Sequence, residues 1–433
     1  MRIATLTRQS QTELLELLKG RNPASYKEQQ AAVDAIIARV QNEGDAAVLA
    51  YEEQFDHCKL TAETIKVTRE EIDAAYAELD PEFVAVMKRA AANIRSYHEK
   101  QVTNSWITTK EDGTILGQKV TPIEVSGCYV PGGRAVYPSS VLMNIIPAKV
   151  AGVERIIMCT PPNAEGKAPA GSLVAADIAG ADEIYKVGGA QAIAAMAYGT
   201  ETIPKVDKIT GPGNIYVALA KKACFGITGI DSVAGPSEIL VIADETADPR
   251  YIAADLLSQA EHDPLASAIL LTTSRDFAEK VSAEIDQFLE TLERAEIIRQ
   301  SLDNYGYAFV GETMDDIIDA ANAIASEHME IVTKNAFELM TKIKNAGAIF
   351  LGSYSSEPLG DYYAGPNHIL PTNGTARFFS PLGVDQFVKK TSIISYSKNA
   401  LEKVHEDIEL FARNEGLTAH ANSIAVRFDG KSE

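Results

Sequence analysis

The stretch "LLSQAEHDP" at 256–264 sets Gln259, Glu261 and His262 within four positions. On a helix, residues three apart share a face, whereas Glu261 would project about 100° away from His262. The side chains able to act together are therefore an amide oxygen and an imidazole. Imidazole is an ordinary zinc ligand and an amide oxygen a weaker one; taken alone, such a pair is more often a surface hydrogen-bonding couple than a metal site. "GDYYAGPNHILPT" at 360–372 adds Asp361 and His368 on a loop bounded by glycine and proline, a setting that holds polar groups in place. Its plain alternative is an Asx-type turn with an incidental histidine. "ASEHME" at 325–330 puts Glu327 beside His328, a general base and a water-activating neighbour. Adjacent residues do not share a helical face, so this pair works only at a helix end or in a loop. "ARNEGLTAHANSI" places Glu415 and His420 around a glycine that ends a helix, and taken alone it reads as a capped surface helix. The other histidines, His57, His98 and His405, lie on amphipathic helical stretches and read as surface residues.

Three glycine-rich turns accompany these groups: "GCYVPGGRAVYPSS" at 127–140, "VGGAQAI" at 187–193 and "TGPGN" at 210–214. Each ends an apolar run and precedes another element. Such turns let a backbone approach a phosphate and aim helix N-terminal N–H groups at it. The G-x-G-x-x-G fingerprint is absent, which argues against a conventional Rossmann site. Any one of these turns alone reads as simple turn chemistry; the three on successive units, with Gln191 and Asn214 as hydrogen-bonding side chains, are compatible with a nucleotide cleft.

The elements that must position these groups change character along the chain. At 433 residues, two principal domains with smaller attachments are expected. Residues 1–110 carry helical periodicity, as in "AAVDAIIARV", and read as a helical N-terminal region. From about 111, short apolar runs such as "RIIMCTP", "EILVIAD" and "SAILLTTS" alternate with helical segments, the pattern of parallel α/β units. Two such series meet near "DSVAGPSE" at 231–238. The expected division is one α/β domain over 111–236, a second over 237–380, and a tail over 381–433.

Forty basic and sixty acidic residues give a net charge of −20, which opposes nucleic acid or an anionic membrane as a partner but not a nucleotide held by backbone N–H groups. The first residues lack an apolar core of the signal-peptide kind, and no run of about 18 apolar residues occurs. A cytoplasmic protein is expected. Cys58, Cys128, Cys159 and Cys224 are dispersed and read as thiols.

Eight segments taken together, "GCYVPGGRAVYPSSVLMN", "VGGAQAIAAMAYGT", the "ITGPGN" stretch, "DSVAGPSEILVIAD", "LLSQAEHDP", "SEHMEI", "GDYYAGPNHILPT" and "EGLTAHANS", resemble the histidinol dehydrogenases in content and order over 127–423. The resemblance implies an α/β fold of two incomplete Rossmann-like domains, similar to aldehyde dehydrogenases. It further implies a zinc-dependent homodimer that oxidises L-histidinol to L-histidine through the aldehyde with two NAD⁺. Carried over by position, Gln259, His262, Asp361 and His420 would hold zinc, and Glu327 and His328 would be the catalytic pair. Ser237, His368 and Glu415 would contact substrate, together with His328 and the zinc ligands, while Tyr129, Gln191 and Asn214 would contact NAD. The tail would reach into the partner's site, so that Glu415 and His420 act in trans. Ala325 and Ser326 depart from the family pattern, in which a proline is expected near the glutamate. Competing readings are a zinc hydrolase built on His262, Asp361 and a glutamate, a same-family dehydrogenase of another alcohol, a thiol-dependent aldehyde dehydrogenase using Cys128, and a non-enzymatic zinc or nucleotide binder.

Overall fold

The computed structural model of the chain describes residues 1–21, 26–132, 137–233 and 235–430. Residues 133–136 of the first glycine-rich stretch and Ala234 of the junction at 231–238 lie outside the described residues. The chain divides into two compact units, Met1–Gln101 with Ile123–Phe387, and Val102–Pro122 with Val388–Glu433.

The first unit contains two parallel sheets. In one, the strands run in the order Glu183–Lys186, Arg155–Thr160, Val125–Tyr129, Lys208–Thr210, Gly229–Ile230. In the other, the order is Arg2–Thr5, Gly306–Val310, Ser267–Thr272, Glu238–Ala243, His328–Val332, Ala348–Leu351. Numbered by position in the chain, and leaving aside the edge strand Arg2–Thr5, both sheets read 3-2-1-4-5. This is the doubly wound order, which reverses direction between its first and fourth strands. "EILVIA" and "SAILLT" are buried at all six positions, as befits central strands covered by helices on both faces. Alternate strand residues feed separate cores: Cys128, Met158 and Ile184 on one face of the first sheet, Tyr129, Ile157 and Tyr185 on the other. Ile239 and Val241 likewise oppose Leu240 and Ile242 across the second.

Local chemistry sets where the helices begin and end. Asp248 caps Pro249–Ala260 through the Arg250 N–H, with proline at the first helical position. Thr313 and Asp316 form a reciprocal capping box on Met314–Ile324, which ends at Ala325 in the left-handed conformation, φ 55°.

The expected lead-in over 1–110 is largely helical but is shared between the two sheets. Arg2–Thr5 extends the second sheet, with Arg2 in register with Tyr307, and Leu14 and Leu18 of Arg8–Gly20 enter that sheet's core. Val33, Ile36, Ile37 and Val40 of Lys27–Glu43 instead pack in a core of the first sheet. A four-residue strand is too short to display a period, so its pairing is invisible in the sequence.

In the second unit, the strand Ile115–Pro122 pairs antiparallel with Trp106–Thr109 on one side and Val388–Ser395 on the other, with Val388 opposite Pro122. Helices Lys398–Glu402, His405–Asn414 and Thr418–Ala425 complete it. The tail expected over 381–433 thus forms a unit with a segment from the expected first boundary. Among the described residues, no helix is long and apolar enough to cross a membrane.

Candidate active site

A cavity of about 680 Å³ opens in the first unit, lined by loops of both sheets. The first sheet contributes the turns at the carboxyl ends of its strands. Pro131 and Gly132 come after Val125–Tyr129, and residues 211–214 after Lys208–Thr210, so these turns flank the point where strand order reverses. Gly211 has φ 112°, and a Cβ there would collide with the Tyr129 carbonyl oxygen, so glycine is required twice over. Its N–H donates to Asp231 at 2.8 Å and its carbonyl accepts from Lys221 Nζ at 2.8 Å, while Lys221 and Asp231 form a buried ion pair. Asn214 lines the cavity and caps Ile215–Cys224, its Oδ1 accepting from Tyr216 and Val217 N–H at 3.0 and 3.2 Å.

Tyr129 and Gln191 are buried beside the first sheet and are not among the lining residues of the cavity. The Tyr129 hydroxyl accepts from Gly189 N–H at 3.0 Å, and Gln191 Nε2 donates to Glu52 at 2.8 Å. Burial pushes that glutamate up to about 8. Both residues brace the turn at 187–189.

The second sheet contributes residues at the starts of its strands. Glu327 occupies the loop after Ala325 and His328 opens the strand His328–Val332, which meets the requirement that adjacent residues act from a loop or an element end. Both are buried and both line the cavity. His328 Nδ1 lies 3.1 Å from the Glu238 carbonyl oxygen. A carbonyl only accepts, so Nδ1 carries a proton, and Nε2 is left buried without a hydrogen-bond partner among the described residues, 3.7 Å from Asp361 Oδ1. Burial pulls the His328 imidazolium down, but Glu327, Asp361 and Glu357 outweigh it and raise it to about 10. Glu327 is pushed up by burial to about 8 against the pull of His328. Burial opposes ionisation of Asp361, yet His328 and His368 prevail and lower it to about 2.

Gln259 and His262 sit at the carboxyl end of Pro249–Ala260, where His262 N–H donates to Gln259 O at 3.2 Å and carries the helical path onward. Both face the cavity and Glu261 is not among its lining residues, in accord with the spacing. Gln259 Oε1 is buried with no hydrogen-bond partner among the described residues. His262 is solvent-accessible at the cavity, yet desolvation by surrounding protein lowers its pKa against the pull of Asp361. His262, Glu357 and Asp361 offer ligand atoms within 4.8 Å of one another. One imidazole, carboxylate oxygens and an orphaned amide oxygen are a donor set suited to zinc with open positions. Glu357 escaped the sequence reading, although it stands four residues before Asp361 on the helix Glu357–Tyr362, a spacing that aligns two carboxylates.

Ser237 lines the cavity just before the strand Glu238–Ala243. His368 lines it too, but both its nitrogens are engaged: Nδ1 donates to the Asp361 carbonyl at 3.0 Å and Nε2 pairs with Ser140 Oγ at 3.1 Å. Glu415 and His420 belong to the second unit, the first at the C-cap of His405–Asn414 and the second within Thr418–Ala425, and both are exposed. His98, expected at the surface, is fully buried, its Nδ1 donating to Ile94 O at 2.8 Å, because Pro81–His98 packs its last turn inward. Cys128 is a packed residue of a central strand whose thiol is pushed well up by burial, the opposite of an activated nucleophile.

The family model of histidinol dehydrogenase matches residues 19–428. The histidinol dehydrogenase of Halalkalibacterium halodurans is 58% identical over 401 residues, covering 93% of this chain and 94% of the relative. That of Bacillus subtilis is 57% identical over 410 residues, covering 95% and 96%. The crystal structure of the Elizabethkingia anophelis histidinol dehydrogenase superimposes with a TM-score of 0.93 at 38% identity, covering 99% of this chain and 98% of that one. Matched along nearly its whole length in sequence and in fold, the chain belongs to the histidinol dehydrogenase family.

Proposed function

We propose that this protein oxidises L-histidinol to L-histidine through the aldehyde, transferring two hydrides in turn to two NAD⁺, with zinc held by Gln259, His262 and Asp361. The observation that carries this reading is the Nε2 of His328 on the cavity wall, unpartnered among the described residues and beside the metal-capable carboxylate of Asp361. Zinc would supply a positive charge that binds the substrate's imidazole and amino nitrogens and offsets the Asp361 and Glu357 carboxylates. NAD⁺ would supply the hydride acceptor, bound along residues 211–214 at the strand-order reversal.

The chain's own residues move the protons. The Glu238 carbonyl keeps Nδ1 of His328 protonated, and a cation that offsets the carboxylates holding the imidazolium charged would free Nε2 to accept, so that the neutral imidazole takes the hydroxyl proton as hydride leaves the alcohol carbon. Glu327, whose burial makes it a stronger base than an ordinary carboxylate, takes a proton from the water that adds to the aldehyde. His328, having released its first proton, accepts again from the hydrate as the second hydride leaves. Ser237, on the cavity wall, would hydrogen-bond substrate, and His368, bonded to the Asp361 carbonyl, would help keep Asp361 in position. Glu415 and His420, exposed on the second unit, would complete the substrate and zinc shells from the other chain of a homodimer, and the reaction is assigned to the cytoplasm. A zinc hydrolase would leave the required glycine at 211 and the Lys221–Asp231 support without a task.

The test is NADH yield per histidinol in zinc-loaded protein, before and after chelation. Two equivalents, lost on chelation and restored by Zn²⁺, are expected. One equivalent, or indifference to chelation, overturns the proposal.

A further inference from the structure

We propose that Arg21 and Glu238 form the positioning element that holds Glu327 and His328 in their working geometry, an inference that rests on the roles proposed for that pair. Arg21 reaches the cavity wall, but its side chain is buried against Glu238, so both residues would act through Glu327 and His328.

The connections converge on the starts of three neighbouring strands. Glu238 N–H donates to Glu327 Oε2 at 2.9 Å, and Glu327 N–H donates in return to Glu238 Oε2 at 3.3 Å. The strands Glu238–Ala243 and His328–Val332 pair from Ile239 and His328 onward, so these two side chains extend the ladder one step past the last backbone pairing. The Glu238 carbonyl then takes His328 Nδ1. One residue thus orients the Glu327 carboxylate, holds the Glu327 backbone and sets the His328 tautomer.

A carboxylate buried this deeply, with Glu327 against it, demands compensation. Arg21, which caps the helix Arg8–Gly20, supplies it: one guanidinium nitrogen pairs with Glu238 Oε1 and another donates to the Leu265 carbonyl at 3.1 Å, just before Ser267–Thr272. Both side chains are almost wholly excluded from solvent. The planar fork spans two strand starts that a lysine ammonium would not reach together. Arg21 therefore both neutralises Glu238 and fixes its distance from the neighbouring strand.

The test compares Arg21→Lys, Arg21→Met, Glu238→Gln and the double variant Arg21→Met/Glu238→Gln as zinc-loaded enzymes with histidinol and NAD⁺. Arg21→Met strands the Glu238 charge against Glu327, and its kcat should fall about 10²-fold, the scale of a roughly 1 Å misplacement. KM for both substrates should stay within about twofold and zinc content should be unchanged. The double variant removes the stranded charge and keeps an amide oxygen for Glu327 N–H, so it should regain at least about tenfold in kcat over Arg21→Met. Arg21→Lys, which keeps the charge, should fold as wild type and lose roughly tenfold in kcat. A merely structural pair would lower thermal stability while leaving kcat per zinc-loaded site intact. The inference is overturned if Arg21→Lys and Glu238→Gln keep kcat near wild type, or if the double variant is no better than Arg21→Met. A wild-type enzyme that yields no NADH from histidinol would sink the proposed function itself; near-normal variants of an active wild type sink only this inference.

Discussion

The two parallel sheets of the first unit share one strand order and present opposite ends to the same cavity. The first sheet offers the turns at the carboxyl ends of its strands: Pro131, Gly132 and residues 211–214, with the amino end of the helix Ile215–Cys224. The second offers residues at the amino ends of its strands: Ser237, Glu327 and His328, with the carboxyl end of Pro249–Ala260 and, three residues upstream of Glu327, that of Met314–Ile324. In a parallel α/β sheet this reverses the helix dipoles. Helix amino ends favour anions, and carboxyl ends with their free carbonyls favour cations. Identical topology therefore gives one wall suited to a diphosphate and another suited to a metal ion and a protonated imidazole. The lesson is that strand order alone leaves the chemistry of a crevice open; the end of the sheet that faces it decides which charges it welcomes.

That contrast can be broken from either side. The largest effect is expected from His328→Ala, which removes the base proposed on the second wall. Turnover should fall by about 10² to 10⁴, while zinc content and NAD⁺ affinity remain as in wild type, measured by metal analysis and fluorescence titration. Near-normal turnover would remove His328 from the chemistry. Gly211→Ala attacks the first wall instead. Strained backbone costs about 1–3 kcal/mol, so NAD⁺ affinity should weaken on the order of tenfold, with zinc affinity in chelator competition unchanged. A variant that loses zinc as readily as NAD⁺ would show that the two walls are not separable.

The smallest effect sharpens the comparison by locating what lies outside it. Glu183, on the edge strand of the first sheet, is opposed by burial but held down to about 2 by Lys66, Tyr185 and Arg155. A depressed folded pKa contributes stability above the ordinary value near 4.5, and that contribution is lost as pH falls through the folded value. Glu183→Gln should therefore cost about 1 kcal/mol at neutral pH after allowance for the solvent-exposed partners. The gap from wild type should close by about pH 2, followed by urea unfolding, with kcat unmoved throughout. A gap that persists at pH 2 would mean that the loss is one of packing rather than charge.

Much of the site could be read in advance wherever one element carried both partners. Gln259 and His262 sit three apart at one helix end, and periodicity alone separated them from Glu261. Glu327 and His328 required a non-helical setting, and the left-handed Ala325 supplies it. What stayed hidden depends on contacts distant in the chain. Arg21 meets Glu238 across 217 residues, and Glu238 meets Glu327 across 89. Local sequence carries no trace of such pairings. The doubly wound order was likewise latent: the alternation of strands and helices announced parallel sheets, but the membership of Arg2–Thr5 and the pairing of Ile115–Pro122 with Val388–Ser395 are nonlocal facts. Tyr129 and Gln191 illustrate the reverse case, since the glycine-rich turns were legible while the depth of the side chains beneath them was not.

The short strand Arg2–Thr5 also governs how the protein comes into being. Its partner Gly306–Val310 lies some 300 residues later, and chains are made at roughly 5–20 residues per second. The opening segment, with Arg21 at its end, therefore waits tens of seconds on the ribosome before the edge it belongs to exists. The strands of the first sheet, all within 125–230, can close in that interval. Assembly of the second sheet, and of the pair Glu327 and His328 that it carries, falls late in synthesis, so a nascent chain can complete the wall of glycine-rich turns well before the wall that holds Glu327 and His328.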